Sequence, residues 1–182
     1  MMAPGISGRV WVLLDREGRL IADIDTDQIF HNAHLHITER EKMGAYALGN
    51  LEGWEDFPKK VRSGDILVAG RNFGSGSSRQ QAVDCFLALG IAAILAPSFG
   101  AIYFRNAVNA GLAACRAPEL EATVEKGLLR TGDELELDFL EGKARVLNRD
   151  VSFKVVPMSQ VQVAIYRAGG LLAYSKTLDN KT

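Results

Sequence analysis

The chain has 182 residues, 47% of them apolar and 24% charged, which is the composition of a globular protein. Its 21 Lys+Arg and 22 Asp+Glu give a formal net charge of −1. This balance rules against nucleic acid or an anionic membrane as the main partner, because both require a basic excess. The length predicts one domain with a self-sufficient core.

The sequence carries no membrane or disulfide signal. The longest apolar run, residues 91–97, is too short to span a bilayer, and residues 1–10 lack the apolar segment of a secretory signal. Cys85 and Cys115 belong to no CxxC motif, so this chain alone cannot hold an iron–sulfur cluster or a four-cysteine zinc site. We expect a cytoplasmic protein with two reduced thiols.

The N-terminal third is predicted to contain one strand and one helix. In chain order we expect a strand at residues 10–14, a turn at 15–18, an apolar and acidic stretch at 24–29 that ends in a loop, a helix at 39–51 and a connecting loop at 53–58. Thr38 is the predicted N-cap of the helix. Met43, Ala47 and Leu51 lie four residues apart and would form one apolar stripe.

The middle third shows the clearest alternation of strands and helices. We expect a strand at residues 65–69, a loop at 70–79, a helix that begins near 82, a strand at 91–96 and a helix at 98–110. Gly90 and Gly111 stand where helices commonly end, and Ser98 stands near the start of the second helix. Strand, helix and strand within about thirty residues predict a parallel pair.

Beyond residue 118 the pattern changes to alternating strands. We expect a strand at residues 134–139, a turn at 141–143, a strand at 151–155, a helix at 160–174 that is interrupted at Gly169 and Gly170, and a polar tail at 177–182 that frays. The whole pattern predicts a single α/β domain over residues 1–182.

A loop rich in glycine and serine, residues 74–79 (GSGSSR), joins a predicted strand to a predicted helix. This placement directs free backbone N–H groups at the loop's occupant, and Arg79 can grip a carboxylate or phosphate through two parallel hydrogen bonds. The alternative is that Ser77 or Ser78 only caps the helix. The loop matches no dinucleotide fingerprint, Walker loop or nucleophile elbow, so it would bind an anion by another design.

The same loop has the residue types for catalysis. A serine acts as a base only where its alkoxide is stabilised, and a helix N-terminus with a nearby guanidinium can do that. The substrate carbon must also be acidified, usually by an electrophile such as a metal ion, and this chain has no obvious strong metal site. A second chain is the natural source of that electrophile.

Three segments identify a resemblance: residues 25–29 (DTDQI), 65–79 (DILVAGRNFGSGSSR) and 98–112 (SFGAIYFRNAVNAGL). Over about residues 8–170 the chain resembles the small subunits of 3-isopropylmalate dehydratases, which are separate-chain versions of the swivelling domain of aconitases. The resemblance implies a single compact swivelling β/β/α domain of the aconitase C-terminal type. Such a domain docks on a large subunit that carries a [4Fe-4S] cluster, and no metal is bound by the small chain itself.

The resemblance also implies roles for individual residues. Ser77 would be the catalytic base that removes a carbon-bound proton from a small 2-hydroxy di- or tricarboxylic acid. Ser78 and Arg79 would bind a substrate carboxylate. Asp27 corresponds to an acidic active-site residue of aconitases, which have His where this chain has Gln28. The implied reaction isomerises 2- and 3-isopropylmalate by dehydration and rehydration in leucine biosynthesis.

The segment after residue 28 departs from that family. Isopropylmalate enzymes usually read Ile-x-Pro-x-Arg-Tyr-Leu, whereas residues 29–35 read IFHNAHL, with Ala33 and His34 at the arginine and tyrosine positions. In the family this loop is thought to select the substrate side group. We therefore expect His34 to bind substrate, and homoaconitate and 2,3-dimethylmalate stay open as alternative substrates.

All three histidines lie in or beside this loop, at positions 31, 34 and 36. They would face the substrate, form a metal site with nearby carboxylates, or serve as hydrogen-bonding groups of a surface loop. Arg105 would either line the rim of the active site or pair with a surface carboxylate. Besides a hydro-lyase subunit, a non-catalytic anion-binding module and an independent metalloenzyme built on the histidines remain as rival functions.

Overall fold

The structure is a computed structural model that describes residues 5–179, so residues 1–4 and 180–182 lie outside it. Its elements are β1 (Gly5–Val12), α1 (Thr26–Ile29), α2 (Arg40–Met43), α3 (Phe57–Lys60), β2 (Ile66–Val68), α4 (Gln81–Ala88), β3 (Ala93–Ala96), α5 (Ala101–Ala110), β4 (Ala113–Arg116), α6 (Leu120–Glu125), β5 (Glu134–Asp138), β6 (Lys143–Val146), β7 (Val151–Lys154), α7 (Gln160–Ala168) and α8 (Leu171–Asp179). Within this range, no helix has the length and apolarity needed to cross a membrane.

The described strands form one sheet in the order β4-β3-β2-β1-β5-β6-β7. Strands β1 to β4 are parallel, β1 pairs antiparallel with β5, and β5 to β7 form an antiparallel meander. The sheet is curled, so that the two ends of the strand order approach each other. The N–H of Val156, just after β7, donates to the Arg116 carbonyl of β4 at 2.7 Å. The predicted α/β class and the parallel pairing of β2 with β3 are confirmed.

The core has two parts because successive residues of a strand face opposite sides of the sheet. Leu67 in β2 and Ile94 in β3 pack with α4 and α5 on one face. Their neighbours Ile66 and Leu95 pack with α6, α7 and the antiparallel strands on the other. All four side chains are fully buried. Coverage of both faces explains why these strands are continuously apolar rather than alternating.

The predicted helix at residues 39–51 is wrong in length and in its cap. Only Arg40–Met43 is α-helical, its N-cap is Glu39 rather than Thr38, and a 3-10 turn follows. The chain then turns away, with Leu48 at a φ of 58° and its N–H donating to the Ile29 carbonyl at 2.8 Å. The predicted apolar stripe is nevertheless buried at all three positions, Met43, Ala47 and Leu51.

Several other elements differ from the sequence-based expectation. The elements not predicted are α1, α3, α6, β4 and β6. Helix α5 begins at Ala101 instead of Ser98, because the Ser98 hydroxyl and carbonyl accept hydrogen bonds from the backbone of residues 72 and 73. The C-terminal helix is divided at Gly169 and Gly170 as predicted, and α8 continues to Asp179. The rest of the predicted tail lies outside the described residues.

Candidate active site

Loops that follow β1, β2 and β3 meet at the carboxyl edge of the parallel strands. Asp25 and Ser75 form a backbone bridge between the first two loops, and the Thr26 N–H donates to the Ser75 carbonyl at 3.0 Å. A second bridge joins Phe73 to Phe99 in the segment after β3. Ligands of α/β sheets commonly bind outside the carboxyl ends of the strands, so this edge is the candidate site.

Two glycines allow the loop after β2 to pack directly against α5. Gly74 has a φ of +76°, and a Cβ placed there would lie 2.2 Å from Cγ of Tyr103. A Cβ at Gly100 would lie 2.5 Å from the Gly74 carbonyl oxygen. The Tyr103 hydroxyl donates to the Ala82 carbonyl of α4 at 3.0 Å, and burial raises the pKa of this phenol. The loop, α4 and α5 therefore form one packed unit.

The tip of this loop, residues 76–78, is exposed. Its backbone is fixed by Thr26, whose Oγ1 donates to the Ser77 carbonyl at 3.0 Å. The N–H groups of residues 77–80 donate to none of the residues that the structure describes. The N-cap of α4 is Gln80, without a side-chain capping bond, so the alternative in which a serine caps the helix is wrong. Free N–H groups at a helix start favour the anion-binding alternative.

Arg79 is held by three hydrogen bonds to the loop after β1. Its Nη1 donates to Asp27 Oδ1 at 2.9 Å, to the Phe30 carbonyl at 2.7 Å and to the Thr26 carbonyl at 3.4 Å. The Arg79 side chain is only 13% exposed. Because all three bonds use Nη1, the Nε and Nη2 atoms have no partner within residues 5–179 and can bind a carboxylate.

The Asp27 carboxylate is engaged at both oxygens. Oδ1 also accepts the Asn32 N–H at 3.0 Å, and Oδ2 accepts from Asn50 Nδ2 at 3.0 Å. The hydrogen bond from Arg79 lowers the pKa of Asp27, and the Asn32 N–H and the nearby His31 lower it further against the opposing effect of burial. A carboxylate held in this way is suited to orient Arg79 rather than to accept a proton.

We expect the Asp27 carboxylate to titrate at lower pH than an ordinary aspartate, because the hydrogen bond from Arg79 lowers its pKa. A lowered native pKa means that the Asp27–Arg79 bond stabilises the fold above the usual aspartate range, and this contribution is lost as the pH falls through the lowered value. The amide of Asn32 reports the titration because it donates to Asp27. In an acid titration followed by NMR, the shifts of this amide should change at lower pH than shifts that report on an ordinary aspartate. In Arg79→Gln the amide should titrate at higher pH, and an unchanged titration would exclude Arg79 as the cause.

The three histidines do not converge on one point. His31 Nδ1 accepts from the Ala33 N–H at 3.2 Å, and His36 Nδ1 lies 3.1 Å from the Ala33 carbonyl. His34 stacks on Tyr46, with ring centroids 4.2 Å apart. In the part of the chain that the structure describes, no group of three or more His, Cys, Asp or Glu side chains is placed to hold a metal ion. The metal alternative therefore lacks a donor set, and a substrate role for His34 stays a prediction.

The loop that carries the histidines is fastened at both ends to the start of α4. At the N-terminal end of this loop, Asp27 forms an ion pair with Arg79, just before α4. At its other end Arg40 of α2 places Nη2 at 3.2 Å from Asp84 Oδ1, which also accepts from Gln80 Nε2 at 3.2 Å. Sequence analysis missed this second pair, for which the only signal was an acidic residue in an otherwise apolar helix face.

Further polar contacts at the site were also missed. Asp25 and Gln28 form a capping box, with the Gln28 N–H donating to Asp25 at 2.8 Å and the Asp25 N–H to Gln28 at 3.0 Å. The Asp-x-x-Gln spacing was an available signal. Asn106 Nδ2 donates to Ser78 Oγ at 3.3 Å. Arg105 is exposed and forms no ion pair with the described residues, so its pairing with a surface carboxylate is not observed.

Both cysteines lie away from solvent and are unsuited to hold a metal cluster. Cys85 and Cys115 are free thiols in the core. Burial raises the pKa of both, that of Cys115 to about 12. Metal ligation requires the thiolate. The cysteines of this chain therefore do not fit an iron–sulfur cluster.

Comparison with known proteins agrees with this geometry. The family model of the aconitase C-terminal domain matches residues 21–120, which include all of the 25–29, 65–79 and 98–112 segments. The chain is 41% identical to the 3-isopropylmalate dehydratase small subunit of Pyrobaculum calidifontis, over 84% of this chain and 90% of that protein. The chain belongs to the aconitase C-terminal domain family.

Within this family the chain is similar to small subunits with different printed names. It is 37% identical to a methanogen homoaconitase small subunit of Methanocaldococcus jannaschii, over 85% of both chains. A crystal structure of 3-isopropylmalate dehydratase from the same organism is 33% identical to this chain and superposes with a TM-score of 0.80. The alignment covers 96% of this chain and 95% of that one. The expected resemblance to 3-isopropylmalate dehydratase small subunits is confirmed.

Proposed function

We propose that this chain is the small subunit of a two-subunit hydro-lyase that interconverts 2-isopropylmalate and 3-isopropylmalate in leucine biosynthesis. The observation that carries the proposal is the exposed Gly-Ser-Ser tip, residues 76–78, which is fixed between the loop after β1 and α5 and is followed directly by Arg79. This tip presents two hydroxyls and free backbone N–H groups to the outside of the subunit, and Arg79 follows it with Nε and Nη2 unpaired within residues 5–179. A partner that covers it would complete a closed site.

The chemistry assigned to this chain is proton transfer and carboxylate binding. Ser77 accepts the carbon-bound proton, and the free N–H groups and the guanidinium of Arg79 stabilise its alkoxide. Ser78 and the free edge of Arg79 bind a carboxylate of the substrate. Asp27 keeps the guanidinium in a fixed orientation through Nη1.

The remaining chemistry comes from the partner. Since the cysteines of this chain do not fit a metal cluster, we assign a [4Fe-4S] cluster to a large dehydratase subunit, where it would supply the Lewis acid that the reaction needs. Reduced thiols and a cluster of this kind fit a cytoplasmic enzyme.

A second candidate substrate is favoured by the loop after Asp27. Residues 31–36 present imidazole groups together with Leu35, which is 39% exposed. An isopropyl group would pack on the apolar side chain, whereas the extra carboxylate of homoaconitate would find hydrogen-bond donors on the imidazoles. The 37% identity to a homoaconitase small subunit supports keeping this alternative.

The test is anaerobic co-purification with the large subunit and an assay of 2-hydroxy di- and tricarboxylic acids. The readout is the absorbance of the unsaturated intermediate. We expect turnover of isopropylmalate by the complex and none by the isolated chain. Turnover restricted to homoaconitate or dimethylmalate would move the chain to a sister enzyme, and strong activity of the isolated chain would contradict the proposal.

A further inference from the structure

A polar contact joins α5 to the tip of the loop at residues 76–78. Asn106 Nδ2 donates to Ser78 Oγ at 3.3 Å, and Asn106 as a residue is partly buried. One turn earlier, Tyr103 packs against Gly74 with no room for a side chain between them. The amide of Asn106 is therefore carried on an element that is fixed relative to the loop.

The direction of this hydrogen bond determines whether the Ser78 hydroxyl can donate a hydrogen bond to a ligand. A serine hydroxyl has one hydrogen to donate, whereas the NH₂ group of asparagine can only donate. The bond from Asn106 therefore occupies a lone pair of Ser78 and leaves the hydroxyl hydrogen free. Within residues 5–179 the Ser78 hydroxyl donates to no other group.

We propose that Asn106 is a positioning residue, which turns the hydroxyl hydrogen of Ser78 toward the substrate carboxylate. The inference rests on the proposed function and extends it to a residue outside the loop. It concerns binding rather than proton transfer, because the amide contacts Ser78 and not the serine proposed as the base. Loss of the amide lets the hydroxyl rotate and weakens binding of the substrate and the transition state alike.

The test uses the assembled two-subunit enzyme with Asn106→Ala and Asn106→Asp. We expect Asn106→Ala to raise KM roughly three- to tenfold, the equivalent of one hydrogen bond, with kcat within about twofold of wild type. Asn106→Asp should raise KM further, because a carboxylate accepts the Ser78 hydrogen and repels an anionic substrate. Thermal unfolding of each variant checks that the fold is intact.

Asn109 provides the matched control, because it is exposed on the same helix almost one turn further along. Asn109→Asp adds the same charge and should leave KM within about twofold. An equal rise in KM for Asn109→Asp and Asn106→Asp would overturn the inference, as would an unchanged KM or a loss confined to kcat in Asn106→Ala. If the wild-type complex converts none of the acids, the proposed function fails and this inference with it. If the wild-type complex is active but the KM of both Asn106 variants is unchanged, this inference is refuted and the proposed function stands.

Discussion

Replacing Ser77 by alanine should lower kcat of the assembled enzyme by roughly 10²- to 10⁴-fold, the range of a lost general base. KM should change less than about threefold, because Ser78 and Arg79 still bind the carboxylate. The Ser77 side chain lies at the exposed tip of its loop, so its loss leaves the packing of the subunit intact. The measurement is the rate of formation of the unsaturated intermediate under anaerobic conditions.

Ser75 is the control for this experiment, since it lies two residues earlier in the same loop and uses its carbonyl to bond Thr26. Ser75→Ala keeps that backbone bond and should retain kcat within about twofold. Retention of more than about a tenth of wild-type kcat by Ser77→Ala would exclude Ser77 as the base.

Replacing Gly74 by alanine should destabilise the subunit by about 3 kcal/mol. A left-handed backbone costs an alanine about 1–2 kcal/mol, and forcing a methyl group into a packed region adds about 1–3 kcal/mol. The new Cβ would meet the inner part of the Tyr103 ring at 2.2 Å, and this ring is held by its bond to Ala82. Equilibrium unfolding in urea measures the change in the free energy of unfolding.

Gly76→Ala separates the two contributions to this loss. Gly76 also has a positive φ, of +90°, but a Cβ there would have only ordinary contacts, at 3.7 Å, with Asp25 and Thr26. It should therefore lose about 1–2 kcal/mol, the cost of the backbone conformation alone. Equal losses for the two variants would show that the contact with Tyr103 contributes nothing.

The parts of the fold that could be predicted are those with strong local signals. The continuous apolar runs of β2 and β3 and the glycines that end α4 and α5 located the parallel strands and their helices. Strand β4 has only small residues and Arg116, so its sequence lacks the branched and aromatic residues that indicate a strand. The end of α2 could not be predicted, because a backbone bond from Leu48 to the distant Ile29 decides it.

The candidate site shows the same division between local and distant information. The loop at residues 74–79 and its position before a helix were visible in the sequence, whereas anion binding by Arg79 stays a prediction. Its contact with Asp27 spans 52 residues, and no local pattern could indicate which nitrogen it would use. The contact of Asn106 with Ser78 likewise depends on how α5 packs against the loop.

The hydrogen bond between Val156 and Arg116 also affects how readily the outer strands of the sheet could pair with another chain. An open strand edge offers unpaired N–H and C=O groups to any other chain and is a common starting point for aggregation. The segment after β7 occupies the carboxyl end of β4, so part of that edge is already used within the molecule. The curl of the sheet thus leaves fewer backbone groups of β4 available for pairing with another chain, while the tip at residues 76–78 remains exposed.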